Sequence, residues 1–404
     1  MPATERLYYH DSRLLEFEAR VIGVHEREDG HRVVTLDRTA FYPTGGGQPT
    51  DTGTLGEARV VDCIDADHEE VWHVIQGPAP GVGATVHGRV DWRRRLDHMQ
   101  QHTGQHILSA AFVRLFDAPT RSFRVLEHEC EIDVALDDPT DERIEQAVDL
   151  ANQIIWESRP IKISQVTASE AASLPLRKEP AREGELRVIE IADFDLTPCG
   201  GTHAKSTGEV GVIAVRSWER AKGLVRIQFM AGVRALTDYR KANKSARGVA
   251  SLFSAGREDS PALVDKIIEE NKKLSHRVSE LEELASRVEA AELLKETDSG
   301  TQVIARVFSD RSADSLKHLA QALIAHPKVI ALLGSRDGDT ARVVFARSPD
   351  APGDMNVLMR RACSVIDGRG GGRPDMAQGG GKNVDQLTAA IEDAAASLKS
   401  DPVQ

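Results

Sequence analysis

Short segments of alternating apolar and polar residues occupy the first part of the chain. The segments VIGVHE, HRVVTLD, ARVVDCID, EVWHVI and HGRVDW alternate or are rich in β-branched residues, and Gly, Asp or Pro bounds each of them. Strands this short and this regularly spaced are typical of a small closed sheet. We therefore predict a β-barrel domain over residues 1–95.

The apolar pattern changes to a helical period after the barrel. It predicts one helix from Leu96 to about Phe116 and a second that starts near Asp138, with Pro139 in its first turn. The segments LRVIEI, VGVIAVRSW and GLVRIQFM then predict strands. We expect residues 96–245 to form an α+β domain in which helices pack on an antiparallel sheet. The apolar residues of the second helix recur at three- or four-residue steps: Ile144, Val148, Ala151 and Ile155.

A further helical pattern of apolar residues extends through residues 260–297, and charged residues flank the apolar positions. It predicts a coiled-coil seam or a long antiparallel hairpin arm, and Asn271 within the seam would specify its register. An amphipathic helix packed on a globular core is the alternative. We assign residues 246–299 to a helical connector. The seam positions alternate steps of three and four: Val264, Ile267, Asn271, Leu274, Val278, Leu281, Ala285 and Val288.

Strands between helices return in the last hundred residues. VIARVF, VIALLGSR and ARVVFAR predict strands, and a final amphipathic helix follows the Gly-rich segment GRGGGRPDMAQGGGK at residues 368–382. We predict a C-terminal α/β domain over residues 300–404. Either this domain or the connector could join two copies of the chain in a homodimer.

Composition narrows the function classes. The chain has 404 residues, which suits two or three domains. It contains no apolar run near the roughly 20 residues that span a membrane, no signal-peptide pattern at its start and only four cysteines. We therefore expect a cytoplasmic protein without a membrane partner. The net charge of −12 excludes a uniformly basic nucleic-acid surface. Residues 301–404 are nearly neutral, so an RNA surface is expected there.

Two short motifs carry the clearest chemistry. In HTGQH, His102 and His106 are four residues apart on a predicted helix, so both imidazoles leave the same face. In PCGGTH, Cys199 and His203 lie on a predicted Gly-rich loop after a strand. His98 is one further turn away and cannot share one ion with both helical histidines, so we expect a structural or supporting role for it.

These four side chains predict a zinc site. Three imidazoles and one thiolate are a soft, tetrahedral donor set, which favours zinc over magnesium or calcium. The residues between the two helical histidines are Thr103, Gly104 and Gln105, so the glutamate base of a metalloprotease is missing. Four protein ligands resemble a closed structural site, and spacing alone leaves the role of the metal open.

Two Gly-rich segments suggest ligand contacts. FYPTGGGQPTDTG, residues 41–53, is not a phosphate-binding P-loop, and its glycines permit either a tight turn or close approach of a ligand beside Thr44 and Gln48. GRGGGRPDMAQGGGK combines glycines with Arg369, Arg373 and Lys382. Backbone amides with flanking cations suit an RNA phosphate backbone or a carboxylate.

In combination and in this order, the motifs FYPTGGGQP, HTGQH, CGGTHAKSTGEVG and GRGGGRPDMAQGGG resemble the editing half of alanyl-tRNA synthetases. From about residue 20 to 400, the chain resembles their free-standing relatives, the long AlaX-type alanyl-tRNA editing proteins. The resemblance implies a β-barrel, a zinc-containing editing domain shared with threonyl-tRNA synthetases, a helical connector and a C-terminal domain related to DHH-type phosphoesterases. Because no Asp-His-His motif occurs, that last domain is expected to bind RNA.

The resemblance also implies an activity. Since the barrel is predicted almost at residue 1, we expect no aminoacylation domain. We expect trans-editing, the hydrolysis of mischarged seryl-tRNA(Ala), with glycyl-tRNA(Ala) as a second candidate substrate. The family's ligands to one zinc ion per chain fall on His102, His106, Cys199 and His203.

The family's pocket residues can be carried over only in part. Thr44 is expected near the serine hydroxyl, and Gln48 is the second residue expected to act in catalysis. A glutamine found in some synthetase editing sites is replaced here by Ser122, so no residue is assigned to polarise water. A non-catalytic RNA-binding module with a structural zinc is the alternative function. The pocket is expected to be shaped by Gly45, Gly46, Gly47 and Gln48.

Overall fold

Two compact units divide the chain, Met1–Gly248 and Val249–Gln404. The computed structural model describes residues 3–28, 30–66, 69–179, 185–295 and 301–400. The mixed α+β class is confirmed by its sheets and helices. No helix in these described ranges combines the length and the apolar character needed to cross a membrane. The finer four-part division of the chain stays a prediction, and its boundary at residues 299 and 300 lies outside the described residues.

A six-stranded barrel opens the first unit, closed in the order β2-β3-β7-β6-β5-β8. Alternate side chains point inward, as the buried and exposed residues along β2 show. Two short strands, β1 and β4, pair separately in parallel. The strands are β1 Glu5–Arg6, β2 Glu16–Glu26, β3 Arg32–Leu36, β4 Arg38–Thr39, β5 Gly53–Leu55, β6 Ala58–Ala66, β7 Glu70–Gln76 and β8 Thr85–Val90.

Helices and two antiparallel sheets complete the first unit. One sheet has the order β14-β15-β10-β9 and the other β11-β12-β13, and their apolar residues share a core with the first two helices. The elements are α1 Trp92–Phe116, β9 Thr120–Val125, β10 Cys130–Val134, α2 Asp141–Trp156, β11 Ile161–Val166, α3 Ala168–Ala171, β12 Leu186–Ile191, β13 Asp195–Pro198, β14 Ile213–Ala221, β15 Leu224–Ala231 and α4 Gly232–Leu252.

Both predicted helix starts were wrong by a few residues. The first helix begins at Trp92, because the Asp91 side chain accepts the N–H groups of Arg93 and Arg94 and so caps the helix before its apolar period begins. The second begins after Thr140, whose hydroxyl caps the first turn. Asp138, the predicted cap, has a φ of 47° and lies outside the helix.

The second unit contains a five-stranded mixed sheet in the order β16-β17-β18-β20-β19. Within the described strands of this sheet, β16 and β17 pair in parallel and the other neighbours pair antiparallel. Apolar clusters cover both faces of the sheet. The elements are α5 Ser260–Lys295, β16 Gln302–Ser309, α6 Ala313–Ile324, β17 Val329–Asp337, β18 Thr340–Arg347, α7 Met355–Val365, β19 Gly368–Gly372, β20 Met376–Gly381 and α8 Leu387–Ser400.

The C-terminal Gly-rich segment, which was not among the predicted strands, forms the hairpin β19–β20. Its glycines are needed because neighbouring groups lie very close: a Cβ at Gly379 would overlap the sulfur of Cys363, and a Cβ at Gly368 would overlap the carbonyl oxygen of Gly380. The hairpin can therefore pair closely beneath α7 only without side chains at these positions.

The predicted seam is a single continuous helix, α5. Near its end, Ala290 is buried against the sheet of the second unit. The seam residues themselves are exposed, Leu274 to 65% and Val288 to 63%, so this stripe does not pack on a globular core within the described residues. The alternative of an amphipathic helix covering a core is wrong for most of its length.

A fully buried ion pair connects the barrel to α1. Arg95 and Asp51 are both inaccessible to solvent, and the guanidinium donates to both carboxylate oxygens of Asp51. It also donates to the carbonyl oxygens of Ser12 and Ala40, each at 2.6 Å. Asp51 accepts a further hydrogen bond from the backbone N–H of Tyr42. Through Arg95, α1 is therefore tied to Ser12, to Ala40 before the Gly-rich motif and to Asp51 after its glycines.

We expect Arg95→Met to lower the free energy of unfolding of the first unit by about 3–5 kcal/mol, because it leaves the Asp51 carboxylate buried without its counter-charge. Chemical denaturation of the two full-length proteins measures the difference. Arg93→Met, two residues earlier and exposed, is the matched control and should change stability by no more than about 0.5 kcal/mol. Equal stability of Arg95→Met and the parent protein would show that the pair is not needed.

Candidate functional site

One helix supplies two of the four predicted ligands. All side chains of α1 from His98 to Phe112 are buried, because the barrel, the two sheets and α2 surround this helix. His102 and His106 are 2% and 3% exposed and lie one turn apart. The two imidazoles therefore leave the same face of the helix, as predicted, and that face is buried.

The other two ligands come from the loop after β13. Cys199 directly follows the strand residue Pro198, and His203 is four residues further on. Gly201 has no side chain where a Cβ would overlap the ring of His102. The second glycine of CGGTH therefore lets the backbone of the loop lie directly against the ring of His102.

The four side chains form one cluster. One ligand atom from each of His102, His106, Cys199 and His203 lies within 4.8 Å of the others. The Sγ of Cys199 is 3.3 Å from Nε2 of His102 and 3.4 Å from Nε2 of His203. A tetrahedral zinc ion with ordinary bond lengths would hold nitrogen and sulfur ligands about 3.5 Å apart. The donor types and their spacing thus fit a small, soft cation such as zinc.

Each histidine has its second ring nitrogen engaged by the protein. Nδ1 of His102 is 2.8 Å from Oε1 of Gln48, and Nδ1 of His106 is 3.3 Å from the carboxylate of Asp195. Nδ1 of His203 is 3.3 Å from the Thr103 hydroxyl. These contacts occupy Nδ1 and direct the three Nε2 atoms inward, which is the arrangement that metal-binding histidines need.

Gln48 is held so that its amide oxygen faces His102. Its Nε2 donates to the hydroxyl of Thr202 at 2.9 Å, and its Oε1 accepts the backbone N–H of Thr202 at 3.2 Å. Since Oε1 already serves as an acceptor, Nδ1 of His102 donates to it. The side chain is only 1% exposed, so Gln48 joins the barrel domain to the helical ligand and to the CGGTH loop.

Asp195 is the buried anion beside the cluster. Arg177 donates to it from Nε at 2.6 Å, and the hydroxyl of Thr197 donates to it at 2.9 Å. Burial opposes its charge, but His106 and Arg177 more than compensate and hold the pKa of Asp195 well below its usual range. An ionised Asp195 accepts the Nδ1 proton of His106.

The Cys199 thiol is poised to ionise. Burial alone would raise its pKa, but the three neighbouring imidazoles outweigh burial and hold the pKa of Cys199 well below the ordinary thiol value. Burial lowers the pKa of His203 to about 3. Burial alone would lower the pKa of His106, but the neighbouring Cys199 and Asp195 outweigh burial and raise that pKa. A divalent metal would bind the thiolate and the neutral form of each imidazole.

The Gly-rich motif near residue 45 is a tight turn beside this cluster. Gly45 and Gln48 exchange backbone hydrogen bonds of 3.0 and 2.9 Å, and Gly46 and Gly47 between them have φ of 56° and 81°. Positive φ at both central positions is what such hairpin turns require. A Cβ on Gly47 would overlap the carbonyl oxygen of Phe123, so the turn packs directly on β9.

The remaining predicted residues are less closely connected to the cluster. Thr44 is exposed, and its N–H donates to the carbonyl oxygen of Cys63 at 3.2 Å. Ser122 is exposed and donates to Asp133 at 2.6 Å. Burial lowers the pKa of His98 to about 4, so it stays neutral on α1 outside the four-residue cluster.

The three predicted C-terminal cations lie on the hairpin of the second unit. Arg369 is within β19, while Arg373 and Lys382 flank the paired strands. All three are exposed. Arg373 lies 3.5 Å from the carboxylate of Asp375. Because both side chains are exposed to solvent, this ion pair neutralises little of the positive charge of Arg373.

Sequence reasoning missed the residues that support the ligands. Asp195 and Arg187 belong to no recognisable motif. Arg187 nevertheless donates to the carbonyl oxygens of Cys199 and Gly201 at 2.6 and 2.9 Å and so holds the loop that carries Cys199 and His203. Thr103 lies inside HTGQH and could have been suspected. Asp195 is 89 residues from His106 along the chain, and nothing in the sequence connects them.

Comparison with family profiles divides the chain into three matching stretches. Residues 3–94, which include the barrel, match "tRNA synthetases class II (A)". Residues 186–228, which include Cys199 and His203, match "Threonyl and Alanyl tRNA synthetase second additional domain". Residues 300–400 match the "DHHA1 domain".

Individual proteins match over nearly the whole chain. The alanine–tRNA ligase of Archaeoglobus fulgidus is 32% identical over 94% of this chain, which spans 42% of that enzyme. Among solved structures, the C-Ala domain from Aquifex aeolicus alanyl-tRNA synthetase is 27% identical over 26% of this chain and 99% of that chain, and its TM-score of 0.24 supports no argument on fold. The alanyl-tRNA editing protein AlaX-L of Pyrococcus horikoshii is 34% identical over 93% of this chain and 94% of its own length. The chain therefore belongs to the AlaX-L family of alanyl-tRNA editing proteins.

Proposed function

We propose that this protein is a zinc-dependent aminoacyl-tRNA hydrolase that removes serine from mischarged tRNA(Ala), with glycyl-tRNA(Ala) as a second substrate. The observation that carries the proposal is the buried His102–His106–Cys199–His203 cluster with its supporting hydrogen bonds. Membership of the AlaX-L family supports the substrate class. The reaction would take place in the cytoplasm, where aminoacyl-tRNA is used.

The proposed cofactor is one zinc ion per chain. Zinc bound by these residues would supply a positive charge that attracts an electron-rich group of the substrate, and we favour the α-amino group. The protein's own contribution is to hold three imidazoles and one thiolate in a water-poor site. Gln48, Asp195 and Thr103 orient the rings, and Arg187 holds the loop that carries the thiolate.

Discrimination between seryl- and alanyl-tRNA(Ala) must depend on the hydroxyl group of serine. Serine exceeds alanine by that hydroxyl, and an apolar pocket rejects an added hydroxyl poorly. A hydrolytic site that binds the hydroxyl solves this problem, because alanine would leave its polar partner unpaired. Thr44 is our candidate partner: it precedes the Gly45–Gln48 turn, and its side chain is exposed and available.

The second unit is proposed to hold the body of the tRNA and to join two copies. The exposed cations Arg369, Arg373 and Lys382 would bind backbone phosphates. The apolar stripe of α5, exposed from Val264 to Val288, would pair with the same stripe of a second copy.

A deacylation assay with seryl-tRNA(Ala), alanyl-tRNA(Ala) and seryl-tRNA(Ser) tests the function directly. Selective release of serine from the first substrate is expected. The four protein ligands also resemble a closed structural zinc site, which favours a non-catalytic tRNA-binding module as the second candidate. Retained tRNA binding without release of serine would establish that second candidate.

Cys199→Ala is expected to lower bound zinc below one ion per chain and to abolish release of serine, because the thiolate supplies the only charge among the four ligands. Elemental analysis and the deacylation assay measure the two effects. Cys363→Ala, which removes a buried thiol in the other unit, is the control and should keep both. A Cys199→Ala protein with a full complement of zinc and full activity would refute the zinc assignment.

Gln48→Ala is expected to weaken zinc binding about 10- to 100-fold, since it removes the acceptor that orients His102. Competition with a chromophoric chelator measures the affinity. Gln48→Glu keeps an acceptor oxygen and should retain most of the affinity. Gln105→Ala is the control, because this buried glutamine lies on the same helix and donates to Ser109 instead of accepting from a ligand. If Gln48→Ala binds zinc as tightly as Gln105→Ala, the orienting role is disproved.

Thr44→Val deletes a hydroxyl with little change in shape, and we expect it to narrow the preference for serine over alanine by about 1–3 kcal/mol. The ratio of kcat/KM for seryl- and alanyl-tRNA(Ala) measures this preference. Zinc content should not change, because Thr44 makes no contact with the four ligands among the described residues. An unchanged ratio would assign the recognition of the hydroxyl to another residue.

A further inference from the structure

Helix α4 is basic although the chain as a whole is acidic. Its 21 residues contain five basic residues and one acidic residue, in a chain whose net charge is −12. One of the five, Arg234, is used internally: it donates to both carboxylate oxygens of Asp97 at 2.8 and 2.7 Å. The other four are Arg240, Lys241, Lys244 and Arg247.

These four cations form an exposed surface. Arg240, Lys244 and Arg247 are four and three residues apart, so they lie on one face of the helix, and Lys241 is beside them. All four are exposed, and in the described part of the chain none forms an ion pair with a carboxylate. At 1.5 Å per residue the three aligned residues span about 10 Å, comparable with about three nucleotides along one strand of a duplex.

The basic helix is held in register with the helix that carries the metal ligands. Besides the Arg234–Asp97 ion pair, Gln101 on α1 accepts the N–H of Ala231 at 2.8 Å and donates to its carbonyl oxygen at 3.0 Å. Gln100 accepts the N–H of Val233 at 3.2 Å. Gln100 and Gln101 directly precede His102, so the start of α4 is attached next to the ligand cluster.

We propose that the exposed cations of α4 bind the phosphate backbone of the tRNA close to its aminoacylated end. The positive charge of this surface favours an RNA backbone as its ligand, because a row of cations along one helix face complements a row of phosphates. This proposal rests on the proposed function for the identity of the RNA. It places a phosphate contact in the otherwise acidic first unit, at a set position relative to the ligand cluster.

The test is tRNA binding by the full-length triple variant Arg240→Gln, Lys244→Gln and Arg247→Gln, in which glutamine keeps a high helix propensity. Filter binding of uncharged tRNA(Ala) transcript at several salt concentrations gives the dissociation constant and its salt slope. Three lost phosphate contacts should reduce the slope by about 2 to 3. Between about 50 and 200 mM salt, the parent's affinity should fall about 16- to 64-fold more than the variant's.

Two further variants exclude trivial explanations. Arg240→Lys with Arg247→Lys keeps all charges and should bind like the parent protein. A second triple variant, with Lys266→Gln, Lys272→Gln and Lys273→Gln, removes an equal number of positive charges from α5. This helix carries six basic residues against eight acidic ones, so the variant should change the salt slope much less. Circular dichroism and thermal unfolding confirm that the variants are folded.

An unchanged slope in the α4 variant, an equal loss in the α5 variant, or an absence of tRNA binding by the parent protein would each overturn the proposal. The proposed function is tested separately, by measuring the release of serine from seryl-tRNA(Ala) by the parent protein. If serine is not released but α4 still controls the salt slope, the hydrolase assignment fails and the RNA contact stands. If serine is released and the slope does not depend on α4, only the contact is wrong.

Discussion

Three buried histidines can serve one metal ion only if each turns an unprotonated ring nitrogen toward it. In this protein a separate acceptor faces Nδ1 of each ring: an amide oxygen for His102, a carboxylate for His106 and a hydroxyl for His203. Each acceptor leaves Nε2 directed at the Cys199 thiolate. Without these three contacts the cluster would be a set of buried polar groups, which is costly in free energy.

One of these acceptors comes from a different domain, and this explains why the barrel matters to the site. Gln48 reaches His102 from the Gly-rich turn, and the buried Arg95–Asp51 pair holds the segment around that turn against α1. A buried ion pair contributes little net stability compared with apolar packing, but it is strongly directional. We infer that its value here is to hold the turn and the helix in one relative position, so that Gln48 meets the imidazole.

The charges of the protein are distributed unevenly, because its proposed metal site and its proposed RNA surfaces need opposite signs. Cys199 and Asp195 supply local negative charge that would attract the proposed cation, and Asp195 also keeps His106 oriented. Binding a polyanion needs positive charge, which is placed on α4 and on the β19–β20 hairpin, away from those acids along the chain. A net charge of −12 therefore says little about partners, because the helical surface that meets RNA in our proposal is small and local.

Much of the site could be predicted from the sequence, because ligand spacing within HTGQH and CGGTH is a local property of one helix and one loop. The strands and the long α5 helix were also predictable, since apolar periodicity reflects which face is buried. Local side-chain caps set the helix starts at Trp92 and Asp141, which the apolar pattern alone does not show. Tertiary structure decided the pairing of the C-terminal glycines as strands. It alone supplied Gln48 and Asp195 as partners of histidines 54 and 89 residues away, because hydrogen bonds between distant segments leave no periodic trace in the chain that forms them.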